Sequence, residues 1–212
     1  MKQLVLLLAM CATMTTLHAQ GAGELKLNRP DLNRGVNVMK AFSDRHSDRE
    51  FSTRELSLQD LSDLLWAANG VNRPGDGKRT APSALNKQDV DIYVFLAKGV
   101  YLYDASKHVL KLVAEGDHRA VVAGRQDFVK QAPVSLVYVS DLSRFGMGLD
   151  EQVKLMGAMD AGIVSQNVNL FCAGVGLSTV PRASMDREAL RKLLKLSDTQ
   201  VPMMNNPVGY SK

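Results

Sequence analysis

Four stretches of the chain carry apolar residues at helical spacing, which predicts four helices. These helices are expected over residues 36–43, 58–68, 150–174 and 186–196. In the first helix, Val36, Met39 and Ala41–Phe42 are predicted to face inward. Ser57 is a suitable N-cap for the second. The third helix is apolar around most of its circumference, which favours a buried position.

Short apolar runs separated by turn residues fill the middle of the chain and predict strands. The predicted strands cover residues 90–96, 100–103, 109–113, 134–139 and 201–208. The first three are separated by short turns, which is typical of an antiparallel meander. The fourth is nearly all apolar, which favours a central strand covered on both faces. The order helix, helix, strands, helix, helix, strand predicts an α+β fold with helices packed around one sheet.

The first 19 residues have the layout of a secretory signal peptide. Lys2 provides a positive charge, the stretch from Leu4 to Leu17 is uncharged and mainly apolar, and small Ala19 precedes the expected cleavage site. The apolar stretch is too short for a comfortable transmembrane helix. We therefore expect cleavage near Ala19–Gln20, export with the periplasm as the destination, and no integral membrane segment after cleavage.

Two other interpretations of this segment remain open. It could form a buried first helix, or Cys11 could carry a lipid anchor. Met10 is large where lipoprotein processing requires a small residue, which disfavours the anchored form. Beyond residues 1–19, residues 20–35 are polar and irregular and are interpreted as an N-terminal arm. Residues 36–212 are interpreted as one domain, long enough for a sizeable core.

Charge and cysteine content exclude several classes of function. The net charge is +4, and Lys and Arg are scattered among Asp and Glu, without the basic stripe expected for nucleic-acid binding. Cys172 is the one cysteine left after the predicted cleavage, and its apolar neighbours indicate a buried, unreactive thiol. The four histidines are far apart in sequence, so no metal site is predicted.

The run from Arg45 to Arg49 is the chemically most informative segment. It places two guanidinium groups, the His46 imidazole and the Ser47 hydroxyl within five residues. Arginine makes charge-assisted, often bidentate hydrogen bonds to phosphate, and the hydroxyl adds a donor. Together these groups could neutralise a phosphate monoester. A solvated charged surface, balanced by the neighbouring acidic residues, is the alternative interpretation.

The run from Arg79 to Gln88 combines small residues, a rigid proline and two amides directly before a predicted strand. Such a loop can place its backbone against a flat ring. Its N–H and amide groups can then form hydrogen bonds with ring nitrogens and carbonyls. On its own, however, the run is more typical of an ordinary surface loop.

Taken together, these two runs resemble the nitroreductase flavoprotein family. In that family an Arg-x-Ser-x-Arg run begins the FMN site, and a Pro-Ser-x-x-Asn-x-Gln loop leads into a strand. RHSDREF and APSALNKQDVDIYV fit these patterns. MDAGIVSQNVNLFCAGVGLSTVP is similar to the long central helix of the family and PVGYSK to its closing segment. The resemblance covers residues 36–212. The sequence from Gly77 to Phe95 is most similar to azoline-oxidising dehydrogenases of peptide-modifying systems.

The resemblance implies a nitroreductase-like fold, with a central, mostly antiparallel sheet surrounded by helices, in an intertwined homodimer that binds FMN at the subunit interface. The residues implied at the FMN phosphate and ribityl chain are Arg45, His46, Ser47 and Arg49, with Lys212 as a further phosphate contact. Those implied to reach the isoalloxazine from the partner subunit are Pro82, Ser83, Leu85 and Asn86. Those implied at the other ring edge, where a backbone N–H could stabilise negative charge, are Pro181, Arg182, Ala183 and Ser184.

The activity implied is that of an FMN-dependent oxidoreductase, with two-electron transfer to or from a small organic substrate that the sequence does not identify. This chemistry requires no protein acid, base or nucleophile, so no catalytic residue is predicted. Export would separate the chain from cytoplasmic NAD(P)H, which leaves the electron donor open.

A departure from the family pattern after Pro181, together with the open question of the electron donor, supports an alternative, an exported flavin-binding protein without efficient turnover. Pro181 is followed by Arg182 and Ala183, where many members have Glu-Gly. An arginine beside the ring would favour negative charge on the ring or the substrate, provided that its side chain points there. The chain also lacks the basic tail that many members carry after Gly-Tyr, so phosphate binding is expected to depend mainly on the first arginines.

Overall fold

The computed structural model describes residues 23–212, so the predicted signal peptide and its cleavage site lie outside the described residues. Within this range the chain forms five α-helices: α1 (Val38–Asp44), α2 (Leu58–Asn69), α3 (Arg119–Ala123), α4 (Glu151–Val175) and α5 (Arg187–Leu194). It also forms nine strands: β1 (Glu24–Lys26), β2 (Val71–Arg73), β3 (Lys78–Arg79), β4 (Val90–Leu96), β5 (Gly99–Asp104), β6 (Val109–Glu115), β7 (Val134–Asp141), β8 (Leu177–Thr179) and β9 (Gln200–Tyr210).

Seven of these strands form one sheet in the order β1-β6-β5-β4-β7-β9-β8, and every neighbouring pair is antiparallel. The other two, β2 and β3, form a separate hairpin. Helices α2 and α4 pack on one face of the sheet, and α3 and α5 pack on the other. This architecture confirms the predicted α+β fold with a central antiparallel sheet surrounded by helices.

Strand β7 lies at the centre of the sheet, between β4 and β9. Every residue from Val134 to Ser140 is buried. Its side chains alternate between the two layers, with Leu136 in the α2–α4 layer and Val137 in the α3–α5 layer. A strand covered on both faces favours apolar residues at nearly every position, which explains why the run is nearly all apolar.

Several short elements were not predicted. Residues 24–26, in the stretch interpreted as an irregular arm, form β1 and pair with β6. The β2–β3 hairpin lies in the expected loop after residue 70, and α3 and β8 contain only five and three residues. Elements this short do not complete a recognisable hydrophobic period, and pairing or packing against the larger elements stabilises them instead.

The inward orientation expected for the first helix is wrong for most of its apolar positions. Ala41 is buried, but Val36, Met39 and Phe42 are 47%, 73% and 53% exposed. Helix α4 also buries only one face, since Met159 is 52% exposed. The pattern correctly identified apolar helix faces. However, no element within residues 23–212 covers these faces, so they are exposed in the single chain.

The buried amide of Asn206 joins α4 to the sheet. Its oxygen accepts hydrogen bonds from Tyr138 Oη at 3.0 Å and from Ser165 Oγ at 2.7 Å. Its nitrogen donates to Asn169 Oδ1 at 2.9 Å and to Thr179 Oγ1 at 3.0 Å. All four hydrogen-bonding positions of the amide are therefore filled. Because the partners come from β7, α4 and β8, the network fixes the position of α4 on the sheet.

Replacing Asn206 with Ala should lower the free energy of unfolding by about 3 kcal/mol, because its four partners would stay buried and each would lose a hydrogen bond. Urea denaturation measures the difference. The exposed Asn72 accepts a hydrogen bond from Arg73, and Asn72→Ala serves as the control, with an expected change of less than about 0.5 kcal/mol. A loss below about 1 kcal/mol for Asn206→Ala would contradict a structural role for the network.

Candidate functional site

The run from Arg45 to Arg49 follows α1 and is anchored to β8 by Asp48. The Asp48 backbone N–H donates to the Thr179 carbonyl at 3.0 Å. The Asp48 carboxylate accepts from Ser178 Oγ and from a backbone N–H two residues further on. Burial opposes ionisation of Asp48, but these hydrogen bonds outweigh burial and lower the pKa of its carboxyl. Asp48 therefore fixes the run instead of balancing its arginines.

The cationic groups of this run are not matched by acids. Ser47 and Arg49 are exposed and Arg45 is half-buried. No carboxylate among residues 23–212 lies within salt-bridge distance of either guanidinium. The exposed His46 ring is oriented by a 2.7 Å contact between its Nδ1 and the Asp44 carbonyl. Two unmatched guanidiniums beside a hydroxyl fit a phosphate group.

A cavity of about 220 Å³ lies beside the run. Its polar lining residues are Asp44, His46, Asp48, Asn169, Ser178, Thr179 and Ser211. Ser211 Oγ lies 2.8 Å from Ser178 Oγ, which brings the end of the chain to the cavity edge. The exposed Lys212 follows directly. His46 and Ser211 thus line one cavity, and Arg45 and Lys212 are their immediate neighbours in the chain.

The loop of residues 82–88 is held in a strained shape. Leu85, Asn86 and Gln88 have positive φ angles of 53°, 52° and 48°, a region that non-glycine residues seldom adopt. A backbone N–H of the loop donates to the Asp160 carboxylate on α4. Such strain persists where the surrounding structure enforces it, and it is common in ligand-binding loops. The predicted site residues on this loop are the exposed Pro82, Leu85 and Asn86 and the half-buried Ser83.

The segment from Pro181 to Ser184 follows β8 and reaches the surface. Pro181 is half-buried, and Ala183 and Ser184 are exposed. Arg182 exchanges two backbone hydrogen bonds of 2.8 Å with Asn205, which fixes the turn. The backbone N–H groups of Ala183 and Ser184 donate to no acceptor within residues 23–212. These two amides are therefore accessible to a ligand.

The guanidinium of Arg182 is buried and points into the protein. It donates to Gln126 Oε1, to Asn205 Oδ1 and to the carbonyls of Val122 and Ala123. Burial lowers the pKa of this guanidinium. Because four of its five N–H groups are engaged, it has no exposed donor to offer a ring at the surface. The side chain instead stabilises the turn that presents the two accessible amides.

A single chain does not bring all the predicted site residues together. The cavity beside the arginine run is walled by Ala173, near the C-terminal end of α4. The loop of residues 82–88 is anchored at Asp160, 13 positions earlier on the same helix. That separation is about 20 Å along the helix axis. Strand β8, by contrast, connects the arginine run directly to the segment from Pro181 to Ser184.

Sequence reasoning assigned no structural role to Asp48 or Asp160. Asp48 could be interpreted from sequence only as one of the charges that balance the run. Asp160 could have been noticed, because it lies at helical spacing between Gly157 and Val164, on the face of α4 that is buried. An acidic residue on an apolar helix face needs a partner, and that requirement points to a loop or a second polar group nearby.

Other classes of site have little support in this part of the chain. Residues 23–212 contain no group of three or more His, Cys, Asp and Glu side chains arranged to hold a metal ion. No helix in the same range is long and apolar enough to cross a membrane. Cys172 is fully buried, and burial raises the pKa of its thiol, which confirms the expectation of an unreactive core cysteine.

Known proteins resemble this chain over most of its length. The Nitroreductase family profile matches residues 42–210. A solved structure from Ralstonia eutropha, named as a nitroreductase, is 36% identical, has a TM-score of 0.83, and covers 89% of this chain and 90% of its own. A Methanocaldococcus jannaschii protein, also named as a nitroreductase, is 29% identical over 194 residues, which are 87% of this chain and 96% of that protein.

A further relative is the FMN reductase [NAD(P)H] of Bacillus subtilis. It is 24% identical over 187 residues, which cover 82% of this chain but only 65% of the relative's length. The family match includes six of the seven strands of the sheet, α4 and all three segments of the candidate site, but not β1 or the last two residues of the chain. The chain belongs to the nitroreductase family of oxidoreductases.

Proposed function

We propose that the chain is an FMN-dependent oxidoreductase that works as a homodimer and transfers two electrons through the flavin to or from a small organic molecule. The unmatched guanidiniums of Arg45 and Arg49 carry this proposal, since they belong to a run whose His46 and Asp48 line a cavity. Among common ligand groups, a phosphate monoester best suits two such arginines, a hydroxyl and a nearby lysine. The family relation to an FMN reductase supports flavin as the group that bears this phosphate.

Each part of the site has a separate task in this proposal. Arg45, Ser47 and Arg49 would hold the FMN phosphate, and the neighbouring imidazole would support them. The accessible amides of Ala183 and Ser184 would lie at the ring edge and stabilise negative charge there. Bound FMN would supply the two-electron redox chemistry, while the chain places the ring and adjusts its electrostatic surroundings. No side chain is assigned as an acid, base or nucleophile.

The proposed homodimer rests on apolar surface that one chain leaves uncovered. The side chains concerned lie on α1 and α4 and are more than half exposed: Val38 60%, Met39 73%, Phe42 53%, Leu155 59% and Met159 52%. A groove of about 320 Å³ lies beside α1. Exposed apolar side chains that cluster on a helix are typical of an interaction site. A second copy would cover it, and its loop of residues 82–88 would supply the contacts that the first chain cannot make to its own flavin.

A cleft of about 780 Å³ opens between α3 and α5, next to Ser184. This volume lies within the range of small-molecule pockets. We assign the cleft as the route by which a substrate reaches the ring edge. The predicted export to the periplasm excludes cytoplasmic NAD(P)H as the obvious donor, so the substrate itself could supply the electrons. Such an oxidative direction agrees with the resemblance to azoline-oxidising dehydrogenases.

The absorption spectrum of the purified protein is the first test. We expect near-ultraviolet and blue flavin bands, and FMN as the compound released on denaturation. Arg45→Ala should weaken FMN binding by about tenfold to a hundredfold, because a charge-assisted hydrogen bond is lost. Arg29 is also exposed and unmatched by a carboxylate in the described residues, so Arg29→Ala is the control and should bind FMN as the parent does. A colourless protein that also fails to bind added FMN would refute the proposal.

Turnover separates an enzyme from a flavin-binding protein. The bound flavin, once chemically reduced under anaerobic conditions, should regain its blue absorbance after a quinone or a nitroaromatic compound is added. We expect reoxidation to be faster than for free FMN, because the site holds the ring in place and admits the acceptor through the cleft. Reoxidation no faster than that of free FMN with every acceptor tried would favour the storage alternative.

Met159→Asp should convert the dimer to a monomer, because it places a charge in an apolar subunit contact. One chain leaves this side chain 52% exposed, so the monomer itself should stay folded. Light scattering coupled to size-exclusion chromatography measures the mass. The control is Val113→Asp on β6, a substitution at a 37% exposed position away from α1 and α4, and it should remain dimeric. A dimeric Met159→Asp variant would place the subunit contact elsewhere.

A further inference from the structure

Two acidic residues lie buried beneath the loop of residues 82–88. Asp89, immediately before β4, is 0% exposed, and Asp160 on α4 is 4% exposed. Asp160 accepts the Ala84 backbone N–H through both carboxylate oxygens, at 3.0 Å and 2.8 Å. This hydrogen bond ties the loop to the helix just before its strained residues.

The Asp89 carboxyl lies beside Asp160, whose proximity raises the pKa of Asp89, and it accepts one side-chain hydrogen bond among the described residues. Its Oδ2 accepts from Ser140 Oγ on β7. Its Oδ1 has no hydrogen-bond partner among the described residues. Two adjacent buried carboxylates cannot both be ionised without a large penalty. A single proton between Asp89 and Asp160 removes one charge and gives the unmatched oxygen a partner.

The charged groups around the pair do not replace this proton. Arg144, in the turn after β7, donates to the Gln88 carbonyl at 2.8 Å but forms its ion pairs with Asp91 and Asp141. Arg79 on β3 donates to the Gln88 side chain at 2.9 Å. Arg144 also attracts Asp89, but this is the weakest of the interactions that raise the pKa of Arg144. Helix α4 contributes a second acid to the pair.

The loop above the pair needs an external restraint. Leu85, Asn86 and Gln88 all have left-handed backbone angles, which non-glycine residues adopt at a cost. Inside the loop, the Gln88 N–H donates to Ser83 Oγ at 2.8 Å. The link to Asp160 is the hydrogen bond that joins this strained turn to a rigid helix. Without it, the loop is expected to relax away from its present shape.

We propose that Asp160 and Asp89 share one proton and form a positioning pair, which holds the loop of residues 82–88 in the shape that reaches the partner subunit's flavin. The part of this inference that concerns flavin rests on the proposed function. Loss of the shared proton puts two negative charges side by side, and the pair separates. The Asp160 carboxylate then moves out of hydrogen-bonding position for the Ala84 N–H. As a result, the loop becomes mobile and contacts the flavin ring less tightly.

The pH dependence of the stability follows from the direction in which folding shifts the pKa of Asp89. Burial raises the pKa of Asp89, the Ser140 hydrogen bond opposes it, and the neighbouring Asp160 raises it further, to about 7. The unfolded chain releases this proton near the ordinary value of about 4. The stability contribution of the pair is therefore complete below about pH 4, falls as the pH rises to about 7, and is absent above that value.

FMN affinity measured across this pH range tests the pair. In the parent protein, binding should weaken by about tenfold between about pH 6 and pH 8 beyond the change seen in Asp89→Asn, whose amide donates to Asp160 at every pH. Because the FMN phosphate titrates equally in both proteins, their difference isolates the pair. Asp160→Ala should weaken FMN binding by about tenfold or more at pH 6, while Asp160→Asn, which keeps an acceptor for Ala84, should restore most of it.

Asp198→Asn, at a fully exposed carboxylate, is the control and should follow the parent at every pH. Identical pH profiles for the parent and Asp89→Asn would overturn the shared proton. Parent-like FMN binding by Asp160→Ala would overturn the positioning role. If Asp160→Ala fails to fold, the comparison of the parent with Asp89→Asn still tests the shared proton and its effect on FMN binding.

Urea denaturation from about pH 4 to pH 7 tests the shared proton without flavin. The parent should lose stability relative to Asp89→Asn across that range, and parallel curves would refute the shared proton. Failure of the parent to bind FMN at any pH would instead refute the proposed function, together with the loop's role in it. The two failures are therefore distinguishable.

Discussion

Four hydrogen bonds to the buried Asn206 amide fix α4 against the sheet, and both halves of the candidate site depend on that position. A buried amide is strongly destabilising when any of its positions is unmatched, so few placements of the helix satisfy it. The observed placement sets Ala173 beside the arginine run and Asp160 beneath the loop of residues 82–88. One polar contact in the core thus determines the spacing of two surface regions.

The arginines of the site show that a missing acidic partner has two different meanings. Arg182 has no carboxylate but is surrounded by neutral oxygens, so its donors are used inside the protein. Within residues 23–212, the guanidiniums of Arg45 and Arg49 have neither a carboxylate nor such oxygens as partners, and both residues are at least partly exposed. Only the guanidiniums of Arg45 and Arg49 therefore have N–H groups left to bind an anion. The difference depends on backbone placement and cannot be read from residue type.

The sequence predicted the long elements and the chemistry of the arginine run, but not the contacts between distant segments. Strand β4 has the predicted bounds and α2 begins at the predicted N-cap, because both follow from local pattern. The pattern also showed that Met39 lies on an apolar face, although it could not show that a single chain leaves the face uncovered. Asp48 meets Ser178 across 130 positions, and no local signal encodes such a contact.

Helix α4 contains 25 residues and is therefore about 37 Å long, with the arginine run near one end and the loop anchor toward the other. In the proposed homodimer, each flavin would take its phosphate contacts from one chain and its loop contacts from the other. Mutations in the arginine run and mutations in the loop are then expected to complement each other when the two mutant chains form a mixed dimer. A mixed dimer of one chain without the arginines and one chain without the loop would keep one intact centre and carry one that is doubly impaired. Co-expression of two inactive alleles would restore part of the activity.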